Sequence, residues 1–129
     1  MISYSQSRAQ FTLPDGEILN GCYSGGDAGT APYAVDNPDY QMVPMVGPLP
    51  QGVYTISPAH TIPHLGPCAM ALTPDPSNQM YGRSGFFIHG DNAEANHSGS
   101  DGCIVAGPAV RTKVSELVAA GENRLTVTE

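Results

Sequence analysis

Cys103 and His89 are the two residues of this chain whose types and spacing best fit covalent catalysis. His89 follows the apolar segment 85–88, which has the aromatic and β-branched composition of a short buried strand. A cysteine thiolate is a strong nucleophile, and a nearby imidazole can take the thiol proton and stabilise the anion. The pair therefore predicts an acyl-transfer site with Cys103 as nucleophile and His89 as base.

The segment 98–102 before Cys103 has the sequence Ser-Gly-Ser-Asp-Gly, which is rich in small residues. Small side chains leave room for backbone amides to turn towards an oxyanion that develops on a substrate carbonyl. We therefore predict that Gly102 and Cys103 supply the amide donors.

Other interpretations of the same residues exist. Taken by itself, a cysteine is more often a small buried hydrophobe than a nucleophile. His97 is a rival base, but the strand that ends at His89 should position a side chain better than a loop. A mixed zinc site of His89, Asp91, His97 and Cys103 is the weaker case, because neither an H-E-x-x-H motif nor paired C-x-x-C motifs occur. No metal and no cofactor is predicted.

The order His89-Gly90, a variable stretch and then Ser-x-Gly-Cys-Ile at 100–104 resembles the signature of YkuD-type L,D-transpeptidases. Those enzymes cut and rejoin the stem peptides of peptidoglycan. Further motifs resemble the compact L,D-transpeptidase-like effectors that type VI secretion systems deliver, and together they extend the match over almost the whole chain. These motifs occupy residues 23–26, 37–38, 43–56 and 82–91.

The resemblance implies roles for individual residues. It makes Cys103 the nucleophile and His89 the base, and it makes the Gly90 carbonyl the group that orients the imidazole. Gly102 occupies a fixed position of the motif. Val105 stands where the family often has arginine or asparagine, so a substrate contact is either missing or supplied elsewhere.

Candidates for substrate binding come partly from the resemblance and partly from side-chain chemistry. Ser100 occupies another fixed position, and Asp101 stands where the wider family often has histidine. His97 lies in the same loop. Arg83 and Arg111 could grip a stem-peptide carboxylate, because a guanidinium binds such a group through two parallel hydrogen bonds.

The length of 129 residues indicates one domain over residues 1–129, and the resemblance implies that this domain is an L,D-transpeptidase-like catalytic one. The chain has 15 Gly and 12 Pro, which indicates many turns, while 40% hydrophobic residues argue against disorder. A net charge of −7 argues against nucleic acid and anionic membranes as partners. The expected partners are stem peptides and, from the resemblance, an immunity protein and secretion-system components.

The first twenty residues lack the charged start and apolar core of a signal peptide, and no segment is apolar enough to span a membrane. We therefore expect synthesis in the cytoplasm without a signal peptide. Since peptidoglycan lies outside the inner membrane, delivery by a secretion system into the periplasm of a target bacterium would bring enzyme and substrate together.

The predicted fold is mainly β (α+β), an L,D-transpeptidase-like sandwich or barrel with one principal helix after Cys103. The helix is expected from Pro108 to about Ala120, with an apolar face of valines and Leu117. A long ordered loop is expected over 24–50. Strands are expected at 3–13 and 17–23, joined by a Pro-Asp-Gly turn, and at 51–57, 68–73, 85–89 and 124–128, the last closing the sheet.

The predicted reaction is attack of Cys103 on a stem tetrapeptide to form an acyl-enzyme. Water, a D-amino acid or a stem amine could then accept the acyl group, and the sequence leaves this choice open. A non-catalytic cell-wall-binding or secretion-particle module, and a cysteine peptidase or amidase that cleaves another bond, are the alternatives. Pairing of Cys22 with Cys68 also stays open. Because the chain has three cysteines, such a pair would leave Cys103 free.

Overall fold

The computed structural model describes residues 1–26, 30–63, 65–90 and 102–129. Ten strands and one α-helix lie in this part of the chain, together with short 3₁₀ helices at Pro32–Ala34 and Pro38–Tyr40. The strands are β1 Ile2–Ser5, β2 Gln10–Thr12, β3 Ile18–Leu19, β4 Cys22–Ser24, β5 Gly52–Ile56, β6 His60–Ile62, β7 Gly66–Pro74, β8 Phe86–His89, β9 Ile104–Ala106 and β10 Arg124–Thr128. The helix α1 is Pro108–Ala119.

Nine strands form one mixed sheet in the order β3-β2-β1-β10-β5-β7-β8-β9-β4, and β6 pairs with β7 outside this path. The pairs β1–β10 and β8–β9 are parallel, whereas the other pairs are antiparallel. The predicted class, mainly β with one principal helix, is confirmed. The parallel pair β8–β9 brings His89, at the end of β8, near Cys103, which precedes β9.

The helix α1 follows β9 directly and packs against β7. Val110, Val114 and Val118 are buried in the core, and Leu117 packs against it from a partly buried position. Pro108 occupies the first turn and Gly121 follows the end of the helix with a positive φ, as predicted. No helix in the described residues is both long and apolar enough to cross a membrane.

The first two predicted strands are each divided. The segment 3–13 forms the hairpin β1–β2, whose turn includes Ala9 with a φ of 54° and an N–H bond to the Ser5 carbonyl. The segment 17–23 is broken at Gly21, which has a φ of 84°. The Pro-Asp-Gly turn is confirmed, since β2 and β3 pair across it.

Two features of the sheet differ from the expectation. β10 has the predicted bounds, but it lies inside the sheet between β1 and β5 and does not close it. The strands β6 and β9 were not predicted, because three residues are too few to show a period. All three residues of β9 are buried, so the strand has no alternation of buried and exposed positions that a sequence pattern could indicate.

Candidate active site

His89 is the last residue of β8, and its side chain is only 4% exposed. Its Nδ1 atom lies 2.7 Å from the carbonyl oxygen of Gly90. A carbonyl oxygen only accepts hydrogen bonds, so Nδ1 of a neutral His89 carries the proton and donates it. The lone pair is then on Nε2, which is the atom able to take a proton from a nucleophile.

Cys103 directly precedes β9, and it shares a sheet face with His89. In the parallel pair, Ile88 lies opposite Ile104 and His89 lies opposite Val105. Ile88 and Ile104 are buried in the core, and side chains alternate along a strand, so His89 and Cys103 both point to the other face. Strand spacing and rise place their Cα atoms about 8 Å apart, a separation that their side chains can bridge.

The thiol of Cys103 lies close to Gly85, a residue that lines a surface pocket. Its Sγ atom is 4.0 Å from the carbonyl oxygen of Gly85, and the residue is 7% exposed. Gly85 and the rest of segment 82–86 line a pocket of about 260 Å³, together with Pro44 and Met45. Gly85 thus borders the pocket and also contacts the thiol, whereas Cys103 is not among the residues that line the pocket.

Gly102 cannot be replaced without displacing its neighbours. It has a φ of 138°, which residues with a side chain rarely adopt. A Cβ there would lie 2.4 Å from Arg83 Nη2 and 2.8 Å from Phe86 Cε1. The backbone before Cys103 thus fits closely against the Arg83 and Phe86 side chains.

Arg83 is buried, and its guanidinium holds the segment 41–48. Nη1 donates to the carbonyls of Gln41 at 2.6 Å and Pro48 at 2.8 Å, and Nη2 donates to Gly47 at 2.9 Å. The guanidinium carbon also lies 5.2 Å from the Phe86 ring centroid, within cation–π range. These contacts stabilise one side of the pocket. A role of Arg83 in binding a substrate carboxylate stays a prediction.

Arg111 is the second buried arginine near the candidate site. It donates from Nε to the Ala106 carbonyl at 3.0 Å and from Nη1 to the Pro67 carbonyl at 2.7 Å. A Cβ at Gly90 would lie 3.0 Å from Arg111 Nη2. Arg111 therefore ties α1 to the ends of three neighbouring strands, next to the carbonyl that contacts His89. Its predicted role in carboxylate binding stays a prediction.

Three predicted site residues, His97, Ser100 and Asp101, lie outside the described residues, and their roles stay predictions. Sequence reasoning assigned Ser24 no role, although it lies within the motif at 23–26. The structure places its hydroxyl on the backbone of Gly102. The position of Ser24 within a family motif was the available signal, but no local pattern in the sequence indicates its distant partner.

The three cysteines are free. Cys22 on β4 and Cys68 on β7 have β9 and β8 between them, so they lie about 14 Å apart, too far for a disulfide. Burial, and to a smaller extent the negative charge of Asp36, raise the pKa of the Cys22 thiol to about 12. Cys22 is thus a thiol of low reactivity at neutral pH.

Of the four residues of the alternative zinc site, the structure describes His89 and Cys103. Asp91 and His97 lie outside the described residues. Among the residues that the structure covers, no group of three or more His, Cys, Asp or Glu side chains could hold a metal ion.

Comparison with known sequences relates the chain to one family. Residues 20–128 match the Tlde1 domain, and the matched range contains His89, Gly90, Gly102 and Cys103. No curated protein sequence gives a significant match. Since the match covers most of the chain, the chain belongs to the Tlde1 domain family of type VI secretion effectors, which have a role in peptidoglycan modification.

Proposed function

We propose that the chain is a cysteine acyl-transfer enzyme that acts on the stem tetrapeptides of peptidoglycan, as an L,D-transpeptidase, an L,D-carboxypeptidase or both. One observation carries the proposal. The Nδ1 atom of His89 contacts the Gly90 carbonyl, so Nε2 is the basic atom, on the same sheet face as Cys103. Membership of the Tlde1 family supports the cell wall as the substrate.

The first half-reaction forms a thioester. His89 Nε2 takes the proton from Cys103 Sγ, and the thiolate attacks the carbonyl that joins an L-centre to the terminal D-residue. The backbone amides of Gly102 and Cys103 stabilise the negative charge on the carbonyl oxygen. The C–N bond then breaks, His89 returns the proton to the leaving amine, and the acyl group stays on Cys103.

The second half-reaction transfers the acyl group to an acceptor. Water gives a shortened stem and therefore L,D-carboxypeptidase activity. A D-amino acid gives exchange of the terminal residue, and the amine of a second stem gives a crosslink. In each case His89 takes a proton from the acceptor as the new bond forms, and Cys103 leaves as the thiol.

Substrate contacts are assigned from the resemblance and from the pocket. We place the stem peptide along segment 82–86, because this segment borders both the pocket and the Cys103 thiol. Ser100, Asp101, His97 and Arg83 are proposed to contact it.

The family also suggests where the reaction occurs. A type VI effector acts on a target cell, so we propose delivery into the periplasm of a target bacterium. An immunity protein in the producing cell and components of the secretion apparatus are the proposed partners.

The test is to incubate the protein with purified tetrapeptide muropeptides, with and without an added D-amino acid, and to analyse the products by mass spectrometry. We expect loss or exchange of the terminal D-residue. Cys103→Ala and His89→Ala should each lower the rate by at least about 100-fold. Cys68→Ala is the matched control, because it removes another free thiol that is not part of the proposed catalytic pair.

Other outcomes would contradict the proposal. Intact muropeptides under reducing conditions, with binding to the cell wall retained by Cys103→Ala, would favour a non-catalytic module. Cleavage at another bond would favour a different cysteine peptidase or an amidase.

A further inference from the structure

Ser24 is a fully buried polar residue at the end of β4. Its Oγ atom accepts a hydrogen bond from the Leu49 N–H at 2.9 Å and lies 3.2 Å from the Gly102 carbonyl oxygen. A hydroxyl has one hydrogen to donate, and both Leu49 N–H and the Gly102 carbonyl have fixed roles as donor and acceptor. The Ser24 hydrogen therefore points to the Gly102 carbonyl.

The backbone of Ser24 is also held on both sides. Its N–H donates to Asp36 Oδ1 at 2.9 Å, and its carbonyl accepts from the Asp36 N–H at 2.9 Å. The adjacent Gly25 lies so close to segment 47–48 that a Cβ would be 2.9 Å from its backbone. The Ser24 hydroxyl is therefore a rigid group, and this rigidity suits a positioning role.

Gly102 is thus held from two directions. The Ser24 hydroxyl binds its carbonyl, while Arg83 and Phe86 pack closely against its Cα. Arg83 in turn is fixed by three carbonyls of segment 41–48. The peptide that joins Gly102 to Cys103 therefore has a defined plane.

We infer that Ser24 is a positioning residue for catalysis, because it fixes the Gly102–Cys103 peptide and thereby the direction of the Cys103 N–H. In a trans peptide the N–H lies on the opposite side from the carbonyl, so a hydrogen bond to one sets the orientation of the other. Ser24 acts through Gly102 and does not contact the substrate. The inference rests on the proposed function in one respect, namely that Cys103 is the residue acylated.

Two small reagents separate this role from a general structural one. Iodoacetamide alkylates a thiolate at an sp³ carbon and generates no oxyanion. p-Nitrophenyl acetate acylates the same thiolate through a tetrahedral oxyanion and releases p-nitrophenolate. In Ser24→Ala we expect acylation of Cys103 to fall by about 10- to 100-fold, whereas alkylation should stay within about two-fold of the wild type. Modification is followed on the peptide that contains Cys103, with Cys103→Ala as the blank.

Ser24→Thr keeps the hydroxyl and should restore most of the acylation rate. Because Ser24→Ala leaves two buried backbone groups without their partner, it could fail to fold. Ser24→Cys then replaces it as a near-isosteric variant with a weaker donor, and circular dichroism reports whether each variant is folded. For this variant we expect an intermediate loss of acylation at unchanged alkylation.

The inference is overturned if acylation and alkylation fall together, if acylation is unchanged in a folded variant, or if wild-type Cys103 is alkylated but never acylated. A selective loss of acylation in a protein that leaves muropeptides intact would support the role of Ser24 and contradict only the proposed substrate.

Discussion

The Nδ1 atom of His89 lies 2.7 Å from the carbonyl oxygen of Gly90, the next residue in the chain. Gly90 packs against Arg111, which also binds the carbonyls of Ala106 and Pro67. The absence of a side chain at Gly90 thus lets the guanidinium approach the backbone that orients the imidazole. A residue of α1 thereby supports the geometry of the proposed base.

Gly90→Ala should test this support. The new Cβ would lie 3.0 Å from Arg111 Nη2, so the guanidinium must move and its two hydrogen bonds weaken. We expect the free energy of unfolding to fall by about 1–2 kcal/mol and the rate of Cys103 acylation to fall with it. Gly107→Ala is the control, because a Cβ there meets nothing within 4 Å. Equal behaviour of both variants in urea unfolding would contradict the close packing.

Gly102→Ala should be more damaging. Its Cβ would lie 2.4 Å from Arg83 Nη2 and 2.8 Å from Phe86, at a φ of 138°. Strained backbone and overpacking together should lower the free energy of unfolding by about 2–4 kcal/mol. Gly66 also has a positive φ, but a Cβ there has open space. Gly66→Ala should therefore lose only about 1 kcal/mol, and a similar loss for both variants in urea titration would show that the contacts with Arg83 do not matter.

Two buried tyrosines should respond differently to loss of the hydroxyl. Tyr4 OH has no hydrogen-bond partner among the described residues, whereas Tyr54 OH donates to the Pro50 carbonyl at 2.6 Å. Tyr4→Phe should leave the free energy of unfolding unchanged or raise it by up to about 1 kcal/mol. Tyr54→Phe should lower it by about 1–2 kcal/mol, because the Pro50 carbonyl loses its donor. If thermal unfolding gives equal losses, the Tyr4 hydroxyl must have a partner, such as a buried water.

The parts of the fold that local sequence determines were predictable. α1 has proline at its start, glycine after its end and valines at helical spacing, and β8 is a compact apolar run. The division of segment 3–13 was not predictable, because its turn contains neither Gly nor Pro. Gln6 in this turn is fully buried and donates to the Leu49 carbonyl at 2.8 Å, a contact with a residue distant in the chain.

In the candidate site, too, local sequence indicates some residues, whereas the role of others depends on contacts between distant parts of the chain. Cys103 and His89 could be named from residue type, spacing and motif. The contacts of Arg83 and Ser24 could not, because they depend on how segment 31–49 folds back onto the sheet. That segment has no strand or α-helix, so no periodic pattern in the sequence indicates which backbone groups it presents.

Cys22 should make stability depend on pH in the alkaline range. Burial and the charge of Asp36 raise its pKa from 9.0 to about 12 in the folded protein. Above pH 9 the unfolded chain therefore loses a proton that the folded protein keeps, and the free energy of unfolding falls as pH rises, by up to about 1.4 kcal/mol per unit. The contribution is fully present below pH 9 and is lost by about pH 12. Urea unfolding of wild type and Cys22→Ala between pH 8 and 10 should show a steeper decline for the wild type, and parallel profiles would contradict the assignment.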